Sequence, residues 1–293
     1  MSLADIAQWR PGPIDRPQAT PPSGTTDCHA HIFGPAIEYP YALERRFTPH
    51  DASCDDYRSV CNTLGIGRAV LVQPSVYGFD NRRLIDASVK LQMPTRLVVM
   101  VPPDVSETEL DELDGKGARG VRVIGTLPIG APLSSLAQLA EKLHDRNWHI
   151  QLLLNPELLV GMEQILREIP CRFVIDHMAH ISADLGVDQP AFQALLRLLE
   201  TGRFWVKLSA PYHLSNLGPV YPDVIPFAHL LVHSHIERLV WGSDWPCVNH
   251  KNAFPEPADL IDSALSWLPD DNLRQRVLVQ NPEVLYGFHA LAG

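Results

Sequence analysis

This sequence contains fewer basic than acidic residues, and the basic residues are not clustered. The 293 residues include 24 Lys and Arg against 34 Asp and Glu, a formal net charge of −10. Proteins that bind nucleic acid or an anionic membrane surface need a concentrated positive face. We therefore expect neither nucleic acid nor a membrane as a partner.

Long apolar runs are also missing, although 45% of the residues are hydrophobic. No run approaches the roughly 18–20 residues of a membrane-spanning helix, and the opening residues have no apolar core of the secretory type. The five cysteines are scattered without a CxxC pair, a pattern typical of reduced thiols. The sequence predicts a cytoplasmic globular protein.

What the sequence does contain is a regular alternation of apolar strands and helical segments. After a first strand near residue 26, we predict strands at Arg68–Ser75, Arg96–Val101, Gly120–Ile124, His149–Leu154, Arg172–His177, Phe204–Ser209 and Arg238–Asp244. Near-continuous apolar strands separated by helices are typical of a parallel sheet, and eight of them predict a (β/α)8 barrel. The alternative is a doubly wound open sheet. The barrel would span residues 25–293, behind an extended N-terminal arm of residues 1–24.

Two histidines mark the end of the first strand. His29 and His31 alternate with Cys28 and Ala30, so a regular strand places both imidazoles on one face and Cys28 on the other. At about 7 Å apart by strand rise, they can bind a metal ion or contact one substrate. By itself, an HxH pair is equally typical of polar residues beside a turn.

Polar residues end several other apolar strands. His177 closes the run at 174–177, and Asp244 closes the run at 238–244. Because the C-terminal strand ends of a barrel meet at one mouth, we expect both to lie beside His29 and His31. The other polar or mouth-facing residues expected there are Gln73, Ser75, Arg122, Gln151, Leu153, Lys207 and Ser209.

Five motifs together carry a resemblance to a known family. They are HxHIFGP at 29–35, VQPSxxGxDN at 72–81, GxRGVR at 117–122, VIDHM at 174–178 and WGSDWP at 241–246. In this order they resemble the amidohydrolase superfamily, whose barrels carry HxH on strand one, His on strand six and Asp on strand eight. The closer resemblance is to its 2-pyrone-4,6-dicarboxylate lactonase-like branch. It implies a single (β/α)8 barrel and lactone hydrolysis in aromatic or sugar-acid catabolism.

The resemblance also implies roles for the residues at the mouth. Asp244 would activate a water molecule as general base, His31 and His177 would polarise the lactone carbonyl, and His29 would complete their cluster. Arg122 would hold an anionic group of the substrate, helped by Ser75, Tyr77 and His213. Three alternatives stay open: a lactone isomerase acting on a sugar-acid lactone, a metal-dependent decarboxylase, and a small-molecule-binding barrel without catalysis.

The expected metal content follows from a departure in the fifth strand. Metal-dependent members of the superfamily carry a further histidine there, whereas this strand places Leu153 at the mouth and its His149 at the opposite end. We therefore expect activity without a metal cofactor. The alternative is one Zn²⁺ or other divalent ion held by His29, His31, His177 and Asp244.

The expected charge of the substrate follows from a second departure. The dicarboxylate lactonase uses several arginines, whereas here residues 125–129 contain none and His213 stands where that enzyme has an arginine. Arg122 alone is kept. Because an unpaired buried charge is costly, we expect a small lactone with one anionic group.

Overall fold

The computed structural model describes residues 12–219, 221–248 and 255–290. Eight parallel strands follow one another in sequence order around a single sheet. Their bounds are Thr26–Ala30 (β1), Arg68–Val72 (β2), Thr95–Val99 (β3), Ala118–Ile124 (β4), His149–Leu153 (β5), Arg172–Ile175 (β6), Phe204–Ser209 (β7) and Leu239–Gly242 (β8). The predicted (β/α)8 barrel is confirmed.

Helices follow the strands on the outside of the barrel. Within the described residues they are Cys54–Leu64 (α1), Arg82–Lys90 (α2), Glu107–Gly115 (α3), Leu136–Leu143 (α4), Pro156–Glu168 (α5), Pro190–Leu199 (α6), Ile225–His235 (α7), Pro257–Trp267 (α8), Asp271–Gln275 (α9) and Asn281–Tyr286 (α10). Local sequence sets their ends. In α1, Ser53 and Asp56 form a capping box and Gly65 ends the helix in the left-handed conformation, as cap preferences predict.

The barrel closes where the end of β8 meets the end of β1. Asp244 N donates to His29 O at 2.8 Å, and His31 N donates to Trp245 O at 2.8 Å. Gly242 allows this approach, because a Cβ at that position would lie 2.6 Å from the Cβ of His29. Because Gly242 has no side chain, the ends of β1 and β8 can approach closely, and the catalytic candidates His29 and Asp244 lie on these neighbouring strand ends.

Five strands (β2, β3, β5, β6 and β8) end one to three residues earlier than the sequence predicts, and three of these differences bear on the site. β2 ends at Val72 rather than Ser75, β6 ends at Ile175 rather than His177, and β8 ends at Gly242 rather than Asp244. The residues beyond these ends turn inward in short helical or left-handed conformations, so His177 and Asp244 lie on tight turns just after their strands.

The first strand is irregular, which corrects the expected direction of Cys28. Asp27 and Ala30 pair with Ala69 and Leu71, so three steps of β1 face two steps of β2 in a β-bulge. Cys28 consequently packs with residues of other strands inside the lower barrel rather than opposite the histidines. Burial raises the pKa of its thiol, so it stays a poor nucleophile.

The lower end of the barrel is apolar and is covered by the C-terminal segment. The cluster there combines side chains of several strands with the segment after α9: Cys28, Val70, Val72, Val98, Val174, Trp205, Val240, Leu285, Tyr286 and Phe288.

Of the predicted N-terminal arm, residues 1–11 lie outside the described residues, and residues 12–24 contain neither helix nor strand. Gln18 N in this segment donates to Asp262 Oδ1 of α8 at 2.9 Å. No helix among the described residues has the length and apolar character needed to cross a membrane.

Candidate active site

The four residues predicted to form one cluster do lie together at the C-terminal mouth of the barrel. The Oδ1 atom of Asp244 is 3.5 Å from His29 Nε2, 3.8 Å from His31 Nε2 and 3.7 Å from His177 Nε2. All four side chains are buried. The arrangement is close enough for direct hydrogen bonding after small movements.

Strained backbone holds two members of this cluster. Residues 177–180 all have positive φ, between 48° and 55°, and Asp244 has a φ of 56°. The left-handed conformation costs a non-glycine residue about 1–2 kcal/mol. Four such residues in succession persist only where the surrounding structure fixes them, and here the turn directs His177 into the mouth.

A buried carboxylate that sequence analysis did not single out joins β1 to the segment after β8. Asp27 accepts hydrogen bonds from Ser243 N at 2.8 Å, from Ser243 Oγ, from His29 N at 3.0 Å and from Tyr57 OH at 2.8 Å. These bonds hold the backbone on either side of the histidine–aspartate contact. Their partners come from three separate parts of the chain, so spacing in the sequence gives no indication of this role.

A second missed carboxylate lies directly beneath the cluster. Asp176 Oδ1 is 3.3 Å from Lys207 Nζ and 3.3 Å from His29 Nδ1, while its Oδ2 accepts from Gln151 Nε2 at 3.0 Å and lies 3.6 Å from Arg122 Nη2. Burial would raise the pKa of Asp176, but the charge of Lys207 holds it well below its ordinary value. Asp176 is therefore ionised and shared by two cations.

The contacts of the paired histidines assign their protons. Val72 O can only accept, so His31 Nδ1, at 2.7 Å, carries a proton. Burial holds the pKa of His31 well below its ordinary value, so the ring is neutral and its Nε2 is an acceptor. His29 Nε2, 3.2 Å away, then donates to it. The remaining nitrogen, His29 Nδ1, accepts from Lys207 Nζ at 3.1 Å.

This assignment changes one predicted role. His31 is predicted to polarise the lactone carbonyl, as a hydrogen-bond donor or as a metal ligand. With its proton on the nitrogen that faces Val72 O, His31 has no proton on the nitrogen facing the cavity, so this tautomer does not serve as the donor. His177 has the required freedom, because its Nδ1 contacts the hydroxyl of Ser209 at 2.8 Å, which can donate. With Ser209 as donor, His177 Nε2 carries the proton that points toward Asp244.

Asp244 has the environment of a general base. Burial raises its pKa to about 7, while a hydrogen bond donated by the Tyr212 hydroxyl to Oδ2 and the charge of Arg122 oppose that rise. A carboxylate with this pKa is a far stronger base than one in water and is still substantially ionised at neutral pH. Tyr212, which the sequence analysis missed, lies in a short turn after β7.

A cavity of about 180 Å³ opens above the cluster, which is small for a ligand site. The described residues that line it are His31, Phe47, Pro74, Ser75, Arg122, Ile124, Thr126, Leu127, Leu153, His177, His180, His213, Asp244 and Val248. Three of the four predicted substrate-binding residues, Ser75, Arg122 and His213, are therefore in position to meet a ligand.

Tyr77, the fourth, is not part of this lining. Its hydroxyl accepts a hydrogen bond from Gly34 N at 2.8 Å, in the loop after β1. Gly34 has a φ of 67°, and a Cβ there would lie 1.8 Å from Asp51 Oδ1. Tyr77 therefore anchors the loop behind His31, and a direct contact with substrate is not supported by this position.

A larger groove of about 870 Å³ lies elsewhere, on the outer surface between α4 and α5. Its lining is mainly apolar and includes Leu136, Met162 and Ile165. Its lining also contains His144 and three carboxylates, but among the described residues the group of histidines and carboxylates close enough to hold one ion lies at the mouth. The smaller cavity at the mouth is accordingly the candidate active site.

The donor atoms at the mouth fit a divalent cation in type and spacing. One nitrogen or oxygen from each of His29, His177 and Asp244 lies within 4.8 Å of the others, and His31 Nε2 is 3.2 Å from His29 Nε2. A tetrahedral ion with bonds of about 2.0–2.1 Å needs comparable separations. To bind one, His29 would have to move its proton from Nε2 to Nδ1, facing Asp176 and Lys207. Leu153, at the end of β5, supplies no ligand.

Comparison with known proteins places this site in a family. A family model described as amidohydrolase matches residues 26–288. The chain is 34% identical to the 2-pyrone-4,6-dicarboxylate hydrolase of Comamonas testosteroni, over 95% of this chain and 94% of that protein. It is 35% identical to the 4-sulfomuconolactone hydrolase of Rhizobium radiobacter, over 91% of each. It is 31% identical to the D-galactarolactone isomerase of Agrobacterium fabrum, over 90% and 91%.

The similarity extends to three-dimensional structure. A solved structure of an Agrobacterium tumefaciens protein superposes with a TM-score of 0.85 at 30% identity, over 94% of this chain and 100% of that one. Fold and site thus define a (β/α)8 hydrolase-type barrel with its reactive groups at the mouth. The chain belongs to the amidohydrolase family, as its five motifs predict.

Proposed function

We propose that this protein hydrolyses a small anionic lactone, with Asp244 as the general base. The observation that carries the proposal is the position of the Asp244 carboxylate, within 3.5–3.8 Å of three imidazoles on the wall of a small cavity. Two similar proteins named as lactone hydrolases support the choice of substrate class.

The reaction needs one water molecule and no external proton donor. Asp244 takes a proton from water while the water oxygen bonds to the lactone carbonyl carbon. The oxygen that becomes negative accepts a hydrogen bond from His177 Nε2, whose other nitrogen is held by Ser209. The tetrahedral intermediate then breaks its ring C–O bond, and the proton on Asp244 passes to the leaving oxygen. The product is an open hydroxy acid.

The charges around the cavity favour a substrate with a single negative charge. Arg122 and Lys207 supply two positive charges, and Asp176 and Asp244 supply two negative charges, all of them buried. Arg122 belongs to the described cavity lining and Lys207 does not, so one anionic group finds a cationic partner there and a second would not. Arg122 is the guanidinium of the described cavity lining, and its planar donors suit one carboxylate or sulfonate.

We further propose that hydrolysis proceeds without a metal ion. The hydrogen-bond chain from Lys207 through the neutral rings of His29 and His31 to Val72 satisfies each ring nitrogen, and the Lys207 cation beside His29 disfavours a second cation. If an ion is bound, His29, His31, His177 and Asp244 would hold it, and it would supply Lewis-acid polarisation of the carbonyl.

A lactone panel assayed on chelator-treated and zinc-loaded protein, with metal analysis of both, tests whether hydrolysis needs a metal ion. We expect activity to survive chelation, and its loss together with stoichiometric zinc in the isolated protein would contradict the proposal.

Lactone isomerisation is the second candidate, because one similar protein is named as a D-galactarolactone isomerase. The same base would then activate a substrate hydroxyl instead of water. Turnover in water labelled with heavy oxygen separates the two reactions. Hydrolysis places the label in the product carboxylate, whereas isomerisation leaves the product unlabelled.

A further inference from the structure

Two imidazoles at the rim of the cavity take no part in the proton transfers of the proposed hydrolysis, although one of them, His213, is predicted from the sequence to bind substrate. His180 is the last residue of the left-handed turn after β6, and His213 ends a short helix after β7. Their ring centroids are 4.3 Å apart with an angle of 24° between the planes. Both rings line the cavity, and the Nε2 atom of His180 is buried without a hydrogen-bond partner. A buried nitrogen of this kind needs a hydrogen-bond partner, which a bound ligand can supply.

From this geometry we infer that the stacked His180–His213 pair is a binding subsite for a hydroxyl group carried by the lactone. The inference rests on the proposed lactone hydrolysis and narrows its substrate to a hydroxylated lactone acid of the sugar-acid kind. The anionic group of that substrate would lie against Arg122, and its hydroxyl against the pair.

The chemistry of the two ends of the cavity supports this division. Arg122 offers donors only, which suits a carboxylate. A neutral imidazole offers one donor and one acceptor, as a hydroxyl does. Two face-to-face rings at 4.3 Å cannot both carry a positive charge without repulsion, so the pair compensates a second carboxylate less well than a further arginine would.

The test uses three synthetic lactones that share a ring: one with a carboxylate and a hydroxyl, one with the carboxylate alone, and one with two carboxylates. On the wild-type enzyme we expect kcat/KM for the hydroxylated lactone to exceed that for the other two by about tenfold or more, a discrimination typical of one buried hydrogen-bonding group. His180→Phe keeps an aromatic ring for the stack but removes both nitrogens. It should lower kcat/KM about tenfold for the hydroxylated lactone and leave the simple carboxylate within about twofold.

Two further variants serve as controls. His180→Gln retains a donor and an acceptor and should restore most of the discrimination, and His229→Phe makes the same exchange at an exposed position of α7 and should change nothing. Equal losses on all three lactones, or a wild-type preference for the dicarboxylate that His180→Phe abolishes, would overturn the subsite. Failure of every lactone to open would instead reject lactone hydrolysis. Calorimetric binding of the hydroxylated lactone, sensitive to His180→Phe, would in that case still support the subsite.

Discussion

The two ends of this barrel are built from the same eight strands, but the lower end is apolar and the mouth is polar and charged. At the lower end, β-strand side chains such as Val70 and Val98 pack with Tyr286 and Phe288 of the C-terminal segment into an apolar cluster. At the mouth, carboxylates and imidazoles lie close together, and two of them, His177 and Asp244, have left-handed backbone. At the lower end, removing apolar surface from water stabilises the folded protein. The mouth instead contains strained backbone and buried charged side chains.

Two histidines make the contrast concrete. His149 and His177 are both fully or almost fully buried, and burial holds the pKa of each well below its ordinary value. His149 begins β5 at the lower end, edge-on to Tyr286 at 5.3 Å between ring centroids. His177 follows β6 at the mouth, 3.7 Å from Asp244. Burial and pKa therefore do not identify a catalytic histidine here, whereas the end of the barrel and a neighbouring carboxylate do.

The largest effect should come from removing the base at the mouth. Asp244→Asn keeps the size of the side chain and the acceptor for Tyr212 but abolishes basicity, so we expect kcat to fall about 10²- to 10⁴-fold. Steady-state assays on the hydrolysed lactone measure the loss, and circular dichroism with thermal unfolding controls for folding. Near-normal turnover by the folded variant would assign the base to another residue.

The next effect concerns the charge on the cavity wall. Arg122→Met removes the guanidinium while keeping an extended side chain, and kcat/KM for an anionic lactone should fall about 10²-fold, equivalent to roughly 3 kcal/mol for a charge-assisted hydrogen bond. An uncharged lactone of the same ring size serves as the matched control and should lose far less. Equal losses on both substrates would show that Arg122 supports the structure of the site, through Asp176 and Gln73, rather than the substrate.

A smaller and pH-dependent effect is expected from the hydrogen bond that Tyr212 donates to Asp244. That bond opposes the rise of the Asp244 pKa, which stands at about 7. Because the base acts in its ionised form, kcat/KM should fall as pH drops through about 7. Tyr212→Phe should raise the pKa and move this acid limb to higher pH, with a loss of several-fold at neutral pH that recovers in alkali. A pH-independent loss would mean that Tyr212 acts by positioning alone.

The sequence was sufficient for the barrel and for the central cluster, and the reasons are physical. Strands buried on both faces must be apolar along their whole length, so a polar residue at a strand end stands out, as His177 and Asp244 do. Asp176 was missed because its neighbour His177 accounts equally well for a polar strand end. His180 was missed because it lies on a left-handed turn, and Tyr212 because it lies in a short helix that follows the left-handed Ala210; neither conformation has a fixed sequence pattern.

The smallest effect is expected at the lower end, and it tests whether the two ends are independent. His149→Leu replaces a buried imidazole by an apolar side chain of similar size, in a position where Gly120 leaves little room: a Cβ on that glycine would lie 2.5 Å from His149 Nε2. Because no substrate reaches this depth, we expect kcat/KM to stay within about twofold of wild type and any effect to appear in the free energy of unfolding, within about 2 kcal/mol, the range of most single substitutions. Chemical denaturation and the lactone assay on the same samples measure both quantities. A large loss of kcat without a change in stability would mean that His149 influences the mouth through Lys207. The charge of Lys207 is the second cause, after burial, of the lowered pKa of His149. The electrostatics of the two ends would then be coupled.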